Sequence, residues 1–193
     1  MLSKKLTAIP LLLVTILSII GIAYAHWDQT LYINAEVETG ELDWEFTSAY
    51  DNDDGIDPGK DKDVADTTVE LIDSDNDGDD DTLKVTITNA YPCYKVSICF
   101  WVHNCGTIPL KIWKLIVKYR GIEEEFYDIF TKDFDIDGDG KADIRIEYGN
   151  NFGTELDPCE GAGLSFTLYV LQDAPQDSEL SFTMELVAIQ WNA

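Results

Sequence analysis

Apolar and polar residues alternate along much of the chain, which is the pattern of half-buried β-strands. Between Trp27 and Val37 the odd positions are mostly apolar and the even ones mostly polar, so the sequence predicts a first strand over 26–38. A Thr-Gly pair breaks the pattern, which resumes at residues 42–46 in a second predicted strand. The region that follows, 51–66, is rich in Asp, Gly and Lys and is predicted to be a loop.

The clearest alternation precedes a turn at residues 104–109. Its two faces are Tyr94, Val96, Ile98, Phe100 and Val102 on one side, and Lys95, Ser97, Cys99, Trp101 and His103 on the other. Further strands are predicted at 67–72, 82–89, 110–119, 143–148, 164–172 and 179–191, whereas 122–132 is ambiguous and fits one or two helical turns. Nine or ten short strands without a long helical pattern predict an all-β fold, a two-sheet sandwich of the jelly-roll or Ig-like type.

The first 25 residues have a different character. Lys4 and Lys5 precede an uncharged stretch that ends in Ala23-Tyr24-Ala25, and this order is typical of a secretory signal peptide. The stretch is also long enough for a membrane-spanning helix, so an uncleaved anchor is the alternative. We expect cleavage after Ala25, which gives a signal peptide over 1–25 and a β-sandwich over 26–193. The protein would then be secreted or held at the cell surface, without lasting membrane insertion.

The charge of the chain excludes some partners. There are 13 Lys and Arg against 37 Asp and Glu, a net charge of −24, and loss of the two signal lysines gives −24 − 2 = −26. Nucleic acid and anionic membrane surfaces would repel such a protein. The remaining 193 − 25 = 168 residues are enough for a single domain with one core.

Two nine-residue segments share the pattern D-x-D-x-D-G-x-x-D. Aspartates at alternate positions of a tight loop converge on one point, and Ca²⁺ prefers six to eight such oxygen ligands. A calcium-binding EF-hand would need Glu at its twelfth position, where Ile146 and Lys84 stand. The loops instead resemble the strand-loop-strand calcium sites of integrin-type β-propeller repeats, and we expect structural Ca²⁺ at both. The predicted ligand residues are Asp135, Asp137, Asp139, Lys141 and Asp143 in one loop, and Asp73, Asp75, Asp77 and Asp81 in the other.

Four cysteines in an exported chain favour disulfides, whereas the lack of C-x-x-C and the presence of only two histidines argue against zinc. Cys93, Cys99 and Cys105 are evenly spaced along one apparent strand, so neighbours six residues apart lie about 20 Å apart and cannot bridge. At least one partner therefore comes from Cys159, from another chain or from a break in the strand.

Several short motifs together resemble one family. They are Val37-Glu38-Thr39-Gly40-Glu41-Leu42 at the end of the first strand, Asn89-Ala90-Tyr91-Pro92-Cys93-Tyr94 before the strand of clearest alternation, Asn104-Cys105-Gly106-Thr107-Ile108-Pro109 at its end, and Gln190-Trp191-Asn192 near the end of the chain. With the export signal, they make the chain similar to the TasA/camelysin family of exported fibre subunits and to the bundling pilins of archaea. The sequence departs from that family at Cys93, where a glycine commonly follows the proline, and in its four cysteines and its aspartate loops.

The resemblance implies a jelly-roll subunit of an extracellular filament, pilus or biofilm matrix fibre that forms a homopolymer by donor-strand complementation. The freed strand 26–38 would complete a sheet of a neighbouring copy, and its apolar face would be the contact. An ordinary edge strand within the same chain is the alternative. The predicted assembly residues are Trp27, Leu31, Ile33, Ala35 and Val37.

The arrangement of Ig-like sandwiches suggests a disulfide pairing. In such folds, a strand that ends in a turn like 104–106 commonly runs antiparallel to a strand that opens after a turn like 157–161. We therefore expect Cys105 to pair with Cys159. Cys93 and Cys99 would then remain for a pair across a local bulge or for links between subunits.

Two other function classes fit parts of the sequence. A monomeric Ca²⁺-dependent surface adhesin would use the same sandwich and loops. A copper oxidase could use His26, exposed by signal cleavage, together with His103. Neither H-E-x-x-H nor G-x-S-x-G occurs, so a zinc protease helix and a serine hydrolase elbow are excluded. We expect a structural protein rather than an enzyme.

Overall fold

The computed structural model describes residues 3–24, 29–149 and 151–193. The chain divides into two units, with the boundary after Glu38. The first unit contains helix α1 (Ser3–Tyr24) and, at residues 29–38, a segment without regular secondary structure. None of the helical residues that the structure describes form a segment with the length and apolarity needed to cross a membrane.

The second unit is mostly β. Its strands are β1 (Glu45–Asp51), β2 (Asp66–Ile72), β3 (Thr82–Thr88), β4 (Lys95–His103), β5 (Leu110–Tyr119), β6 (Ile122–Phe126), β7 (Phe130–Phe134), β8 (Ile144–Tyr148), β9 (Glu155–Leu156), β10 (Gly161–Val170) and β11 (Thr183–Gln190).

These strands form three antiparallel sheets. The largest has the order β1-β4-β10-β8-β7, the second has the order β11-β5-β6 with β9 also paired to β5, and β2 and β3 form a two-stranded sheet. Strand β4 is an interior strand of the largest sheet, because Phe100 pairs with Ala49 of β1 on one side and with Leu164 of β10 on the other.

One hydrophobic core joins the two larger sheets. The predicted inner face of β4, from Tyr94 to Val102, is buried at every second residue, and buried residues of β5, β8 and β10 belong to the same cluster. Across the sheets, the ring of Phe134 makes edge contacts with Tyr119 and Phe126. The fold is therefore consistent with the predicted all-β sandwich.

Two sequence expectations differ from the structure. Residues 122–132 form β6 and the start of β7 rather than helical turns, because β6 pairs with β5 across a two-residue turn. Both turn residues, Arg120 and Gly121, have the positive φ typical of a tight hairpin. The predicted first strand is not formed at 29–38, since these residues have no neighbouring strand; residues 26–28 lie outside the described residues.

Candidate functional site

The first aspartate loop, residues 135–143, joins the antiparallel strands β7 and β8. Its carboxylates accept hydrogen bonds from the loop's own amides, and Gly138 and Gly140 adopt the positive φ that this path requires. The bonds run to Asp135 from Gly138 N and Gly140 N at 2.5 and 3.0 Å, to Asp137 from Asp139 N at 2.9 Å, and to Asp139 from Lys141 N at 2.8 Å. Carboxylate oxygens of Asp135, Asp137 and Asp143 lie within 4.8 Å of one another, so the loop could hold a metal ion.

The second aspartate loop, residues 73–81, joins β2 to β3 with the same set of bonds. The aspartate at loop position 1 accepts hydrogen bonds from the amides of positions 4 and 6. The aspartate at position 3 accepts one from position 5, and the aspartate at position 5 accepts one from position 7. The donors are Asn76 N and Gly78 N to Asp73, Asp77 N to Asp75, and Asp79 N to Asp77. The two sequence repeats are therefore one structural motif used twice.

Burial distinguishes the two loops. Asp143 is fully buried, and its Oδ2 accepts from Ile136 N and Asp137 N at 2.7 and 3.0 Å, while its Oδ1 has no hydrogen-bond partner. A buried carboxylate oxygen left unpaired is costly, and a cation would satisfy it. In the second loop the equivalent Asp81 is exposed and accepts from the Ser74 amide and hydroxyl. The first loop is therefore the better fit for a metal.

An arginine lies beside the first loop. The Arg120 guanidinium is 3.6 Å from Asp135 Oδ2, and it occupies the space that a side chain at position 138 would need. This cation balances part of the loop's negative charge, and it would compete electrostatically with a bound metal ion.

The predicted donor segment is fully exposed over its described residues. Leu31, Ile33 and Val37 are 85%, 92% and 82% exposed, and Ala35 is also exposed. Three large aliphatic side chains exposed on one alternating face are unusual, because exposed apolar residues on a protein surface are commonly scattered singly. Trp27, the fifth predicted assembly residue, lies outside the described residues.

An open groove of about 1630 Å³ runs along the core of the β-rich unit. Strand β3 forms one wall, and residues 174–182 with the start of β11 form the other. Within the described residues, β3 pairs only with β2, and β11 pairs only with β5, so both walls present an unpaired strand edge. Apolar side chains line the space from three sides: Leu83, Val85 and Ile87 of β3, Phe182, Met184 and Leu186 of the other wall, and Phe100, Phe166 and Leu168 of the largest sheet.

All four cysteines are free thiols in the structure, so the predicted Cys105–Cys159 disulfide is not formed. The predicted closeness of the two turns is confirmed, because Cys159 N donates to Asn104 O at 2.9 Å and Asn104 N to Glu160 O at 2.8 Å. The Cys105 thiol instead lies 3.8 Å from His103 O, whereas Cys159 is exposed. Cys93 is exposed before β4, and Cys99 lies in the middle of that strand, which fits their predicted separation.

Sequence reasoning missed a mixed cluster at one end of the largest sheet. A thiol, an imidazole and three carboxylates meet there: Cys105, His103, Glu45, Asp43 and Asp79. Burial, and then the charges of Asp43, Glu45 and Asp79, raise the pKa of the Cys105 thiol to about 11. The sequence indicates His103 only as a partner of His26 in a copper site. His26 lies outside the described residues, and the ring of His103 is 3.3 Å from Glu45. The cluster depends on the pairing of β1 with β4 and on loop contacts, neither of which the sequence pattern reveals.

Comparison with known proteins gives no match: no family model, no curated protein and no solved structure matches the chain.

Proposed function

We propose that this chain is an exported structural subunit of an extracellular filament, and that its copies join by donor-strand complementation. The observation that carries the proposal is the open groove between β3 and β11, in a chain that also has an exposed, alternating apolar segment. The groove lacks one strand, and residues 29–38 are a strand-like sequence without a sheet. A jelly-roll completed in this way is the fold that the family resemblance implies.

The dimensions of the groove favour a polypeptide over a small molecule. Its volume of about 1630 Å³ exceeds the roughly 300–1,000 Å³ of ordinary ligand pockets. Two unpaired strand edges offer rows of N–H and C=O groups, which an added strand can satisfy along its whole length. The inserted strand would convert the separate sheets β2-β3 and β11-β5-β6 into one continuous sheet.

Side-chain alternation fits the same role. In a strand inserted between β3 and β11, every second residue points to the apolar floor of the groove. Leu31, Ile33 and Val37 would occupy that face. Their burial would contribute on the order of 5–8 kcal/mol before ordering costs, because each buried aliphatic side chain is worth about 1.5–3 kcal/mol.

The residues that follow the donor segment are fixed to the β-rich unit. Glu41 O accepts from Thr107 N at 3.0 Å and from Ile108 N at 3.3 Å, and Gly106 N donates to Asp43 O at 3.2 Å. Gly106 permits this approach, since a Cβ there would lie 2.6 Å from Glu41 O. A donor segment that starts from a fixed point can leave the domain and reach a neighbour. Signal cleavage after Ala25 would free its other end.

Calcium is part of the proposal as a structural ion. The buried, half-paired Asp143 and the converging carboxylates of Asp135 and Asp137 support a site at the first loop. The second loop repeats the geometry beside β3, so an ion bound there would stiffen one wall of the groove. The hard oxygen donors of both loops suit Ca²⁺.

A pair of neighbouring substitutions tests assembly. Ile33→Asp would place an unpaired charge in the groove and should abolish filaments, observed by electron microscopy and sedimentation of the mature protein with Ca²⁺. Asn34→Asp adds the same charge to the opposite face of the segment and should leave filaments intact. Equal behaviour of the two variants, or a wild-type protein that stays monomeric at high concentration, would contradict the proposal.

A further inference from the structure

We propose that Cys105, His103 and Glu45, with Asp43 or Asp79 as a fourth ligand, form a third metal site that binds a borderline divalent ion such as Zn²⁺. The sequence argued against zinc because it lacks C-x-x-C and has only two histidines, but these ligands come together from separate segments of the fold. The site differs from the two aspartate loops in its thiol and imidazole donors, although Asp79 also belongs to the second loop, and it does not depend on the proposed filament function.

The fold holds the candidate ligands together through backbone contacts. Glu45 is paired with His103 in the β1–β4 register, and Cys105 stands two residues after His103 in the chain. Asp43 is fixed to the same turn by the bond from Gly106 N to Asp43 O. Asp79 comes from a third part of the chain, which the bond from Phe46 N to Asp80 O at 2.7 Å attaches to the beginning of β1.

The distances are close to those of a metal site. The donor atoms of Glu45, His103 and Cys105 all lie within 4.8 Å of one another, and so do those of Asp43, Asp79 and Cys105. A tetrahedral zinc site with bonds of about 2.0–2.3 Å separates its ligand atoms by roughly 3.3–3.8 Å. The Glu45–His103 separation of 3.3 Å already falls at that value, and rotation of the other half-buried side chains would bring in their donor atoms. The thiol is shared by both sets of three, so it is the centre of the cluster.

The charges of the cluster favour a cation. Three carboxylates surround one thiol, and all five side chains are half-buried. In the part of the chain that the structure describes, none of these carboxylates forms an ion pair with Lys or Arg. A divalent ion would neutralise this group of acids.

The donor types separate this site from the calcium loops. Thiolate and imidazole ligands select zinc and related transition ions, whereas Ca²⁺ requires oxygen ligands alone. Ca²⁺ in excess can therefore keep the aspartate loops occupied while the thiol-containing site is titrated. A bound ion would link β1, the turn after β4 and the second aspartate loop, three segments that are distant in sequence.

Cobalt is the probe for this site, because a thiolate ligand gives Co²⁺ a charge-transfer absorption that carboxylates do not. We expect the reduced full chain in excess Ca²⁺ to bind one Co²⁺ with this absorption, and Zn²⁺ to displace it. Cys105→Ser should abolish the absorption, and His103→Gln or Glu45→Gln should weaken binding about tenfold or more. Cys99→Ser removes another thiol of the same sheet and should change nothing.

Two results would overturn the site. One is a Co²⁺ titration of the wild-type chain without thiolate absorption. An absorption that survives in Cys105→Ser has the same meaning, and the melting temperature of this variant shows that it is folded. The other is mass spectrometry that finds Cys105 and Cys159 joined in protein collected from outside the cell, since the thiol would then be unavailable to a metal. Because neither readout involves filaments, failure here leaves the proposed assembly untouched.

Discussion

Asp143 illustrates how a single side chain can organise a loop and still lack a partner. One of its oxygens holds two loop amides, and the other is buried without a hydrogen bond. The sequence pattern located this aspartate as the ninth residue of a repeat. It could not show that Asp143 is buried while the equivalent Asp81 is exposed, because the difference depends on how closely each loop packs against the core.

Replacing Asp143 should remove the part of the calcium response that comes from the first aspartate loop. At a hundredfold excess of Ca²⁺ over the dissociation constant, one site adds about 2.7 kcal/mol, or about 5–10 °C in melting temperature. Asp143→Asn should lose this increase. Asp173→Asn should keep this increase. It removes a charge near the loop, where the Asp173 carboxylate lies 3.5 Å from Lys141 Nζ. The measurement is the melting temperature with Ca²⁺ and with chelator, and a calcium response equal in both variants would exclude this loop as the site.

Asp57 has a structural role that its position in a predicted acidic loop did not indicate. It is 1% exposed and accepts hydrogen bonds from Val64 N at 3.0 Å and Ala65 N at 3.2 Å. Burial alone would raise the pKa of its carboxyl, but these bonds and one from Tyr91 outweigh burial, so the pKa lies below its ordinary value. The same contact raises the pKa of the Tyr91 hydroxyl to about 12.

A lowered pKa makes stability sensitive to acid. The bonds to the Asp57 carboxylate stabilise the fold above the unfolded-state pKa of about 3.9, and this contribution is lost as pH falls through the lower folded-state pKa. Asp57→Asn should therefore reduce stability at neutral pH and flatten its decline below about pH 4. Urea unfolding between pH 7 and pH 3 measures this, with the exposed Asp61→Asn as control. If the two variants have the same pH profile, Asp57 does not brace the loop.

At the scale of elements, two Pro-Cys turns precede strands β4 and β10. Tyr94 N donates to Tyr91 O and Glu160 N to Asp157 O, both at 2.9 Å. In each turn the cysteine has positive φ, 69° at Cys93 and 67° at Cys159. This is the third position of a type II turn, which favours glycine. Cys93 and Cys159 thus put a side chain where the backbone favours glycine.

Glycine should therefore stabilise both turns. A non-glycine residue in the left-handed region destabilises the folded state by roughly 1–2 kcal/mol. Glycine removes this strain, but it also increases the entropy of the unfolded chain, which offsets part of the gain in stability. We expect Cys93→Gly and Cys159→Gly each to raise the unfolding free energy by about 0.5–1 kcal/mol under reducing conditions. Cys99→Gly, in the middle of β4, should lower it by about 1 kcal/mol. Urea unfolding tests the signs, and turn variants that are destabilised like the β4 variant would show the turns to be unstrained.

The strands that sequence analysis predicted best are those with two neighbours. Strand β4 and strand β10 have alternating burial along their length, because the sheet and the core act on every residue. The segment 122–132 was harder, since the apolar spacing of Phe126 and Phe130 fits a helix as well as two strand ends, and only pairing with β5 and β8 decides between them. The cluster around Cys105 could not be foreseen, because its ligands come together through strand register and a loop contact.

At the scale of the whole molecule, an apolar groove and an apolar segment are present in one chain. Among the described residues, β3 and β11 each have one unpaired edge, and residues 29–38 belong to no sheet. The sequence predicted the segment from its alternation, and the structure adds the two unpaired edges of β3 and β11. A groove of this kind could not be predicted from sequence, since β3 and β11 each have ordinary strand patterns. They form the walls of a groove because, in the part of the chain that the structure describes, no strand pairs with both of them.

The most direct test removes the donor and adds it back. A chain that lacks residues 1–37 should be a soluble monomer that binds a 26–38 peptide. Nuclear magnetic resonance of the isotope-labelled truncated protein should then show slowed amide exchange in β3 and β11 together, because one inserted strand bonds to both edges. If the peptide does not bind, or protects neither of these two strands, donor-strand assembly is contradicted.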